Sequence, residues 1–188
     1  MNRLISHLAL AFACAAAAPF ASATVLTFDD IATDALVAPN YGGLDWSAGD
    51  WFAFGGEQAP FTAHSGSGRI TSGFGDADVA TAIGLGAGKT FQGAWFAGYD
   101  DVNVTFELYE HGTLVATSAT LGTSARPTWL ASGYAGLVDE VIVASADQGA
   151  WVMDDLAFSK AVPEPGSMAL MTGGLLVLVA AAARRRRG

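Results

Sequence analysis

The chain has 188 residues, 52% of them hydrophobic and 14% charged, with a formal net charge of −9. That length fits one domain with extensions, and so apolar a composition excludes a disordered tail or linker. From Thr24 to Ala161 there are 17 acidic residues against four basic ones, Arg69, Lys89, Arg126 and Lys160, a net of −13. Such a region excludes nucleic acid and an anionic membrane surface as partners and leaves neutral, cationic or metal-bridged ones.

The amino terminus opens with Met1-Asn2-Arg3, continues as an apolar run from Leu4 to Ala18, and offers small residues at Ala21-Ser22-Ala23. Residues 1–23 are therefore read as a signal peptide, helical in its apolar part and cleaved before Thr24. Roughly 15 apolar residues fall short of the ~20 that a spanning helix needs, and Pro19 interrupts them. The single cysteine, Cys14, lies in this segment. The exported domain is then without disulfides and depends on its core.

Residues 24–161 show no long stretch with helical periodicity. Short alternating or continuous apolar segments recur between Gly, Asp, Asn and Ser clusters, which predicts an all-β domain. The expected strands are Val25–Phe28, Leu44–Trp46, Trp51–Phe54, Arg69–Thr71, Val79–Ile83, Thr90–Tyr99, Val102–Glu110, Thr113–Leu121, Thr128–Ala131, Glu140–Ala144 and Trp151–Phe158. In Val102–Glu110, alternation sends Val102, Val104, Phe106 and Leu108 to one face. His111-Gly112 then makes a two-residue hairpin turn, with His111 in solvent. The strand count fits an antiparallel β-sandwich of jelly-roll type, with Gly84–Gly88 as a loop.

The carboxyl terminus runs Val162-Pro163-Glu164-Pro165, then 18 uncharged residues, 166–183, then Arg184, Arg185, Arg186, Arg187 and Gly188. Eighteen helical residues span about 27 Å, close to the hydrocarbon thickness of a membrane. The arginines form a stop that stays cytoplasmic, so the domain lies outside.

This order of parts over residues 162–188 resembles the PEP-CTERM sorting signal. The resemblance implies export in a Gram-negative, exopolysaccharide-producing bacterium. It further implies that the inner membrane holds the chain transiently, until an exosortase-type enzyme recognises Pro163, Glu164 and Pro165 and sends the protein to the cell surface or medium. Tyr41-Gly42-Gly43-Leu44-Asp45-Trp46 is also similar to a stretch found in ectodomains of such proteins.

Two acidic pairs stand out: Asp29-Asp30 after the first strand and Asp154-Asp155 in the last. Here the domain resembles β-sandwich carbohydrate-binding modules, whose first and last strands lie side by side and share a calcium ion. The resemblance implies a structural Ca²⁺ held by Asp29, Asp30, Asp154 and Asp155, since converging carboxylates call for a hard cation. The alternative is that alternation buries one member of each pair, satisfied by backbone amides.

Aromatic faces stack on the apolar faces of sugar rings, and Trp46 and Trp51, flanked by Asp45, Ser47 and Asp50, are the expected glycan contacts. The chain is poorly equipped as an enzyme. His64 and His111 are the only histidines past the signal, Ser65-Gly66-Ser67-Gly68 is no nucleophile elbow, and no glycine loop sits in a βαβ pattern. The expected function is that of a non-enzymatic surface or extracellular protein associated with exopolysaccharide. The alternative is a structural or adhesive protein that makes protein contacts without binding sugar.

Overall fold

The computed structural model describes residues 22–31, 34–73, 81–161 and 173–174. The apolar run of the predicted signal peptide, Pro163-Glu164-Pro165 and the four terminal arginines lie outside the described residues. Of the predicted span 166–183, Gly173 and Gly174 are described and are helical. Among the described residues no helix is long and apolar enough to cross a membrane.

Among the described residues all strands belong to the compact unit Ser22–Ala161. They are β1 Ala23–Leu26, β2 Ala35–Leu36, β3 Phe52–Phe54, β4 Arg69–Thr71, β5 Ala82–Gly84, β6 Lys89–Gly98, β7 Asn103–Glu110, β8 Thr113–Thr117, β9 Leu121–Gly122, β10 Thr128–Ala131, β11 Glu140–Ala144 and β12 Trp151–Lys160. Seven form one antiparallel sheet in the order β10-β6-β12-β4-β3-β2, with β1 also pairing β12. Five form the other, β5-β11-β7-β8, with β9 on β7. The fold is all-β, as expected, and the first and last strands are adjacent, with Leu26 opposite Leu156.

The core lies between the sheets because alternation on each strand turns one set of apolar side chains inward. Val102, Val104, Phe106 and Leu108 are each at most 6% exposed. Aromatic rings run through the core in edge-on contact: Trp46 to Trp51, Trp51 to Trp151, Trp151 to Phe96, with Phe106 reaching both Phe96 and Phe91 across the two sheets. The predicted hairpin turn is present, with positive φ at both His111 (51°) and Gly112 (72°).

Three local departures from the expected strands have physical causes. Leu44–Trp46 is not a strand: Tyr41–Gly43 forms a 3-10 turn that drops Leu44 and Trp46 into the core, and Asp45 makes a single bridge to Gly84. Thr113–Leu121 divides into β8 and β9, which pair with opposite ends of β7. The first strand ends at Leu26 because Phe28 takes a left-handed φ of 58°.

Two facing irregularities shape the large sheet. In β6, Phe91 faces the core and so do Ala94 and Phe96, so alternation slips by one at Gly93, which has φ 143°. In β12, Trp151 and Met153 face inward, then Leu156 and Phe158, and the slip falls at Asp154-Asp155, where Asp155 has φ 48°. Ladder registers between β6 and β12 shift at this same place. A bulge admits one extra residue and re-aims its side chain, so two successive aspartates reach the same face.

Candidate functional site

The predicted glycan contacts Trp46 and Trp51 are core residues, 3% and 1% exposed, and are corrected here. Their indole N–H groups are satisfied inside the fold, Trp46 by the Tyr41 carbonyl and Trp51 by those of Ala48 and Ala82. The polar flanks Asp45, Ser47 and Asp50 are exposed. In an alternating stretch, exposed neighbours are what a buried residue has.

The surface aromatics lie on the outer face of the seven-stranded sheet. Core-facing Leu130 sends Trp129 outward on β10, and core-facing Ala94 and Phe96 send Trp95 outward on β6. Trp129 pairs with Trp95 and Trp95 with Asp154, so the three form a row across β10, β6 and β12. Both tryptophans are half-buried, with ring centroids 5.9 Å apart. The His64 ring lies flat on Trp95, 3.6 Å between centroids and 10° from parallel. Beside Trp129 is an open depression of about 550 Å³, lined by Thr90, Gln92, Ser132 and Tyr134 among others.

The acidic pairs hold the loop that carries His64. Asp154 accepts the backbone N–H of His64 (2.8 Å) and of Ser65 (2.9 Å), while Asp155 accepts His64 Nδ1 (2.6 Å) and Ser65 Oγ (2.9 Å). Asp29 accepts the N–H groups of Ser67 (2.8 Å) and Gly68 (2.7 Å), and Asp30 accepts the Tyr41 hydroxyl. Three of the four predicted calcium ligands thus grip one loop, His64–Gly68, through protein donors, and a cation drawing on Asp155 would compete with His64 and Ser65. Ser65 and His64 bond the same carboxylate. Among the described residues the one group with three ligand atoms within 4.8 Å of one another is Glu110, His111 and Asp139, at the β7–β8 hairpin.

The carboxylates differ in acidity. Asp29 is held below its ordinary value by the Gly68 and Ser67 amides. Burial pushes Asp154 up to about 6, and the adjacent Asp155 charge adds to this against the amides that bond it. Asp154 therefore binds its proton more tightly folded than unfolded, where its value is 3.8. Its contribution to stability is full below that value and is lost as pH rises through 6. Lowering the pH from 7 to 5 is expected to stabilise the fold by about 1 kcal/mol, or roughly 3 °C in melting temperature. Thermal unfolding at the two pH values checks this, and in Asp154→Asn the difference is expected to vanish.

Next to Asp154 on β4, one position from the Met153–Ile70 pair, sits Arg69, 1% exposed. Its Nη1 donates to the Ser67 carbonyl (3.0 Å), its guanidinium carbon lies 5.8 Å from the centre of the Phe54 ring, and its Nε has no partner. Among the described residues no carboxylate oxygen comes within 4.0 Å of it. Burial lowers its pKa, opposed by the charges of Asp34, Asp154 and Glu57. Arg69 lines two small cavities: one of about 90 Å³ with Phe54, Phe61, Thr71 and Val152, and one of about 210 Å³ with Glu57, Gln58 and Ser67.

Sequence reasoning missed Trp95, Trp129, His64 and Arg69 as a group. For Trp129 a signal was present, since Leu130 as a core residue requires Trp129 to face out. For Trp95 the slip at Gly93 hides the parity.

The chain resembles weakly solved structures of family 29 carbohydrate-binding modules. One such structure, a point mutant made to probe ligand recognition, is 15% identical with a TM-score of 0.39, over 78% of this chain and 100% of that one. Another, described as complexed with mannohexaose, is 15% identical with a TM-score of 0.39, over 76% and 94%. A third is 15% identical with a TM-score of 0.38, over 79% and 98%. Comparison with curated proteins finds no match. Residues 161–187 match the PEP-CTERM protein-sorting motif, which marks an exported, C-terminally anchored protein processed at the membrane by an exosortase.

Proposed function

We propose that the Ser22–Ala161 unit is a non-catalytic glycan-binding module that associates with extracellular polysaccharide after export, using the outer face of the seven-stranded sheet. The observation that carries this reading is the Trp129–Trp95–His64 group. Three of the five tryptophans are buried in the core, whereas these two keep part of their surface outward, and His64 is clamped flat on one of them by Asp155. A rigid aromatic surface beside buried polar groups suits a sugar ring, which has apolar C–H faces and a hydroxyl rim. The sorting motif supports the same reading, because it takes the module to the compartment where such polymers lie.

The test is co-sedimentation of the full chain, in detergent micelles, with insoluble exopolysaccharide of the producing cell. Trp129→Ala is expected to weaken binding tenfold or more while leaving the melting temperature within a few degrees, as removal of a contact residue outside the core should. Wild-type chain that stays in the supernatant would end the reading in favour of a structural or adhesive protein.

A further inference from the structure

At the hairpin end of β7, in the five-stranded sheet, two carboxylates and an imidazole converge. Glu110 and His111 are neighbours in sequence, and regular pleating would send them to opposite faces. The left-handed φ of 51° at His111 turns the chain, and His111 Nδ1 lies 3.3 Å from Glu110 Oε1. Asp139, just before β11, completes the group, with one ligand atom from each of the three within 4.8 Å of the others. The Asp139 main chain is fixed on both sides: its N–H donates to the Tyr109 carbonyl (2.9 Å), and its carbonyl accepts the N–H groups of Leu85 (2.8 Å) and Gly86 (3.1 Å). Asp139 Oδ2 accepts the N–H of His111 (2.8 Å). The two carboxylates lack a cation from the protein. Among the described residues no Lys or Arg nitrogen comes within 4.0 Å of either. The Glu110 side chain is only 19% exposed, its Oε2 is enclosed by protein without a partner, and its Oε1 faces the imidazole. Carboxylates held this close, one of them largely buried, favour a positive charge between them.

We propose that Glu110, His111 and Asp139 form a binding site for a divalent transition-metal ion of the Zn²⁺ class, which ties the β7–β8 hairpin to the segment before β11. The site stands apart from the glycan-binding reading, and neither depends on the other. The donor set selects the ion. Ca²⁺ and Mg²⁺ ask for six or more ligands that are nearly all oxygen, whereas imidazole combined with carboxylates suits Zn²⁺. The 3.3 Å between His111 Nδ1 and Glu110 Oε1 is longer than an ordinary N–H···O bond. It matches the edge of a tetrahedron whose metal–ligand bonds are ~2.0–2.1 Å, an edge of about 3.3–3.4 Å. Glu110 Oε1 is thus the ligand atom of its carboxylate, while the enclosed Oε2 leaves that charge for the ion to answer. The remaining spacings, no greater than 4.8 Å, are within reach of side-chain rotation. The His111 side chain is 80% exposed, so an ion enters directly from solvent. Three protein ligands leave the fourth position to water, and an open depression of about 750 Å³ bordered by Gly112, Asp139 and Glu140 lies beside it.

The experiment is calorimetric titration of the full chain in micelles with Zn²⁺, with Ca²⁺ as the comparison, alongside thermal unfolding. One Zn²⁺ per chain is expected, bound about ten times or more tighter than Ca²⁺. At a hundredfold excess over Kd, Zn²⁺ is expected to raise the melting temperature by roughly 5 °C or more, because the ion binds the folded hairpin in preference to the open chain. Two variants test the assignment. His111→Asn removes the imidazole and leaves the turn intact, since asparagine tolerates positive φ and asparagine followed by glycine is a favoured hairpin turn. Asp139→Asn keeps an acceptor for the His111 N–H and removes the charge. Each is expected to weaken Zn²⁺ roughly tenfold to a hundredfold or more and to suppress the thermal shift, while melting in EDTA within a few degrees of wild type. Co²⁺ gives a reading of geometry: the intense visible absorption of a four-coordinate ion is expected with wild type and not with His111→Asn. Zn²⁺ binding unchanged in both variants would place the ion elsewhere and overturn the assignment. Absence of Zn²⁺ binding, or Ca²⁺ bound as tightly as Zn²⁺, would overturn it as well, leaving the glycan-binding reading where it stands.

Discussion

Replacing Trp151 with alanine is expected to destabilise the fold by about 3–5 kcal/mol, the range for removing a large aromatic from a core. Trp151 is fully buried and stands between Trp51, 6.1 Å away, and Phe96, 5.5 Å away, so its loss opens the centre of the aromatic core. The indole Nε1 is buried without a partner, a cost that truncation relieves, which places the effect toward the lower end of the range. Trp151→Phe is expected to cost much less, because it removes the orphan donor and keeps most of the packing. Denaturant unfolding followed by fluorescence measures both as shifts in midpoint at unchanged slope. Set against Trp129→Ala, expected to spare stability and remove binding, this divides the tryptophans by role. A Trp151→Ala variant as stable as wild type would mean that the ring stack is not the core described above.

What the sequence made legible followed from periodicity, and what it hid followed from breaks in periodicity. Arg69–Thr71, Thr128–Ala131 and Glu140–Ala144 are strands with the expected bounds, and the inward set Val102, Val104, Phe106 and Leu108 is buried, because regular pleating leaves no choice of face. The hairpin at His111-Gly112 was legible from turn chemistry. Leu44–Trp46 was misread because a 3-10 turn with Gly42 and Gly43 at positive φ can bury Leu44 and Trp46 with the same alternation that a strand shows. The acidic pairs stand out in the sequence, yet period-2 reasoning sends Asp154 and Asp155 to opposite faces, and only the bulge lets both meet His64 and Ser65. That partnership spans 90 residues and leaves no local trace. Arg69 looked like one of four scattered cations. Its burial is a tertiary fact, set by the loop that Asp29, Asp154 and Asp155 pull over it.

Gly93 joins the fold to the site, and its replacement by alanine is expected to cost roughly 2–6 kcal/mol. Its φ of 143° lies in a region that side chains rarely adopt, and a Cβ there would run into the Leu130 carbonyl oxygen and come within 2.9 Å of Trp129 Cζ2. The obstacle is partly backbone, so no rotamer change clears it. β10 would have to move away from β6, and Gly93 pairs with Ala131 at the end of the ladder that also sets Trp129 opposite Trp95. The substitution should therefore lower the denaturation midpoint and also separate the two outward tryptophans, weakening glycan binding even in molecules that remain folded. Beside that collision stands the backbone conformation through which β6 changes parity, and without that change Trp95 would point into the sandwich. Wild-type stability in Gly93→Ala would show that β6 can reach the same register without a bulge, and the account of how Trp95 comes to face outward would then be wrong.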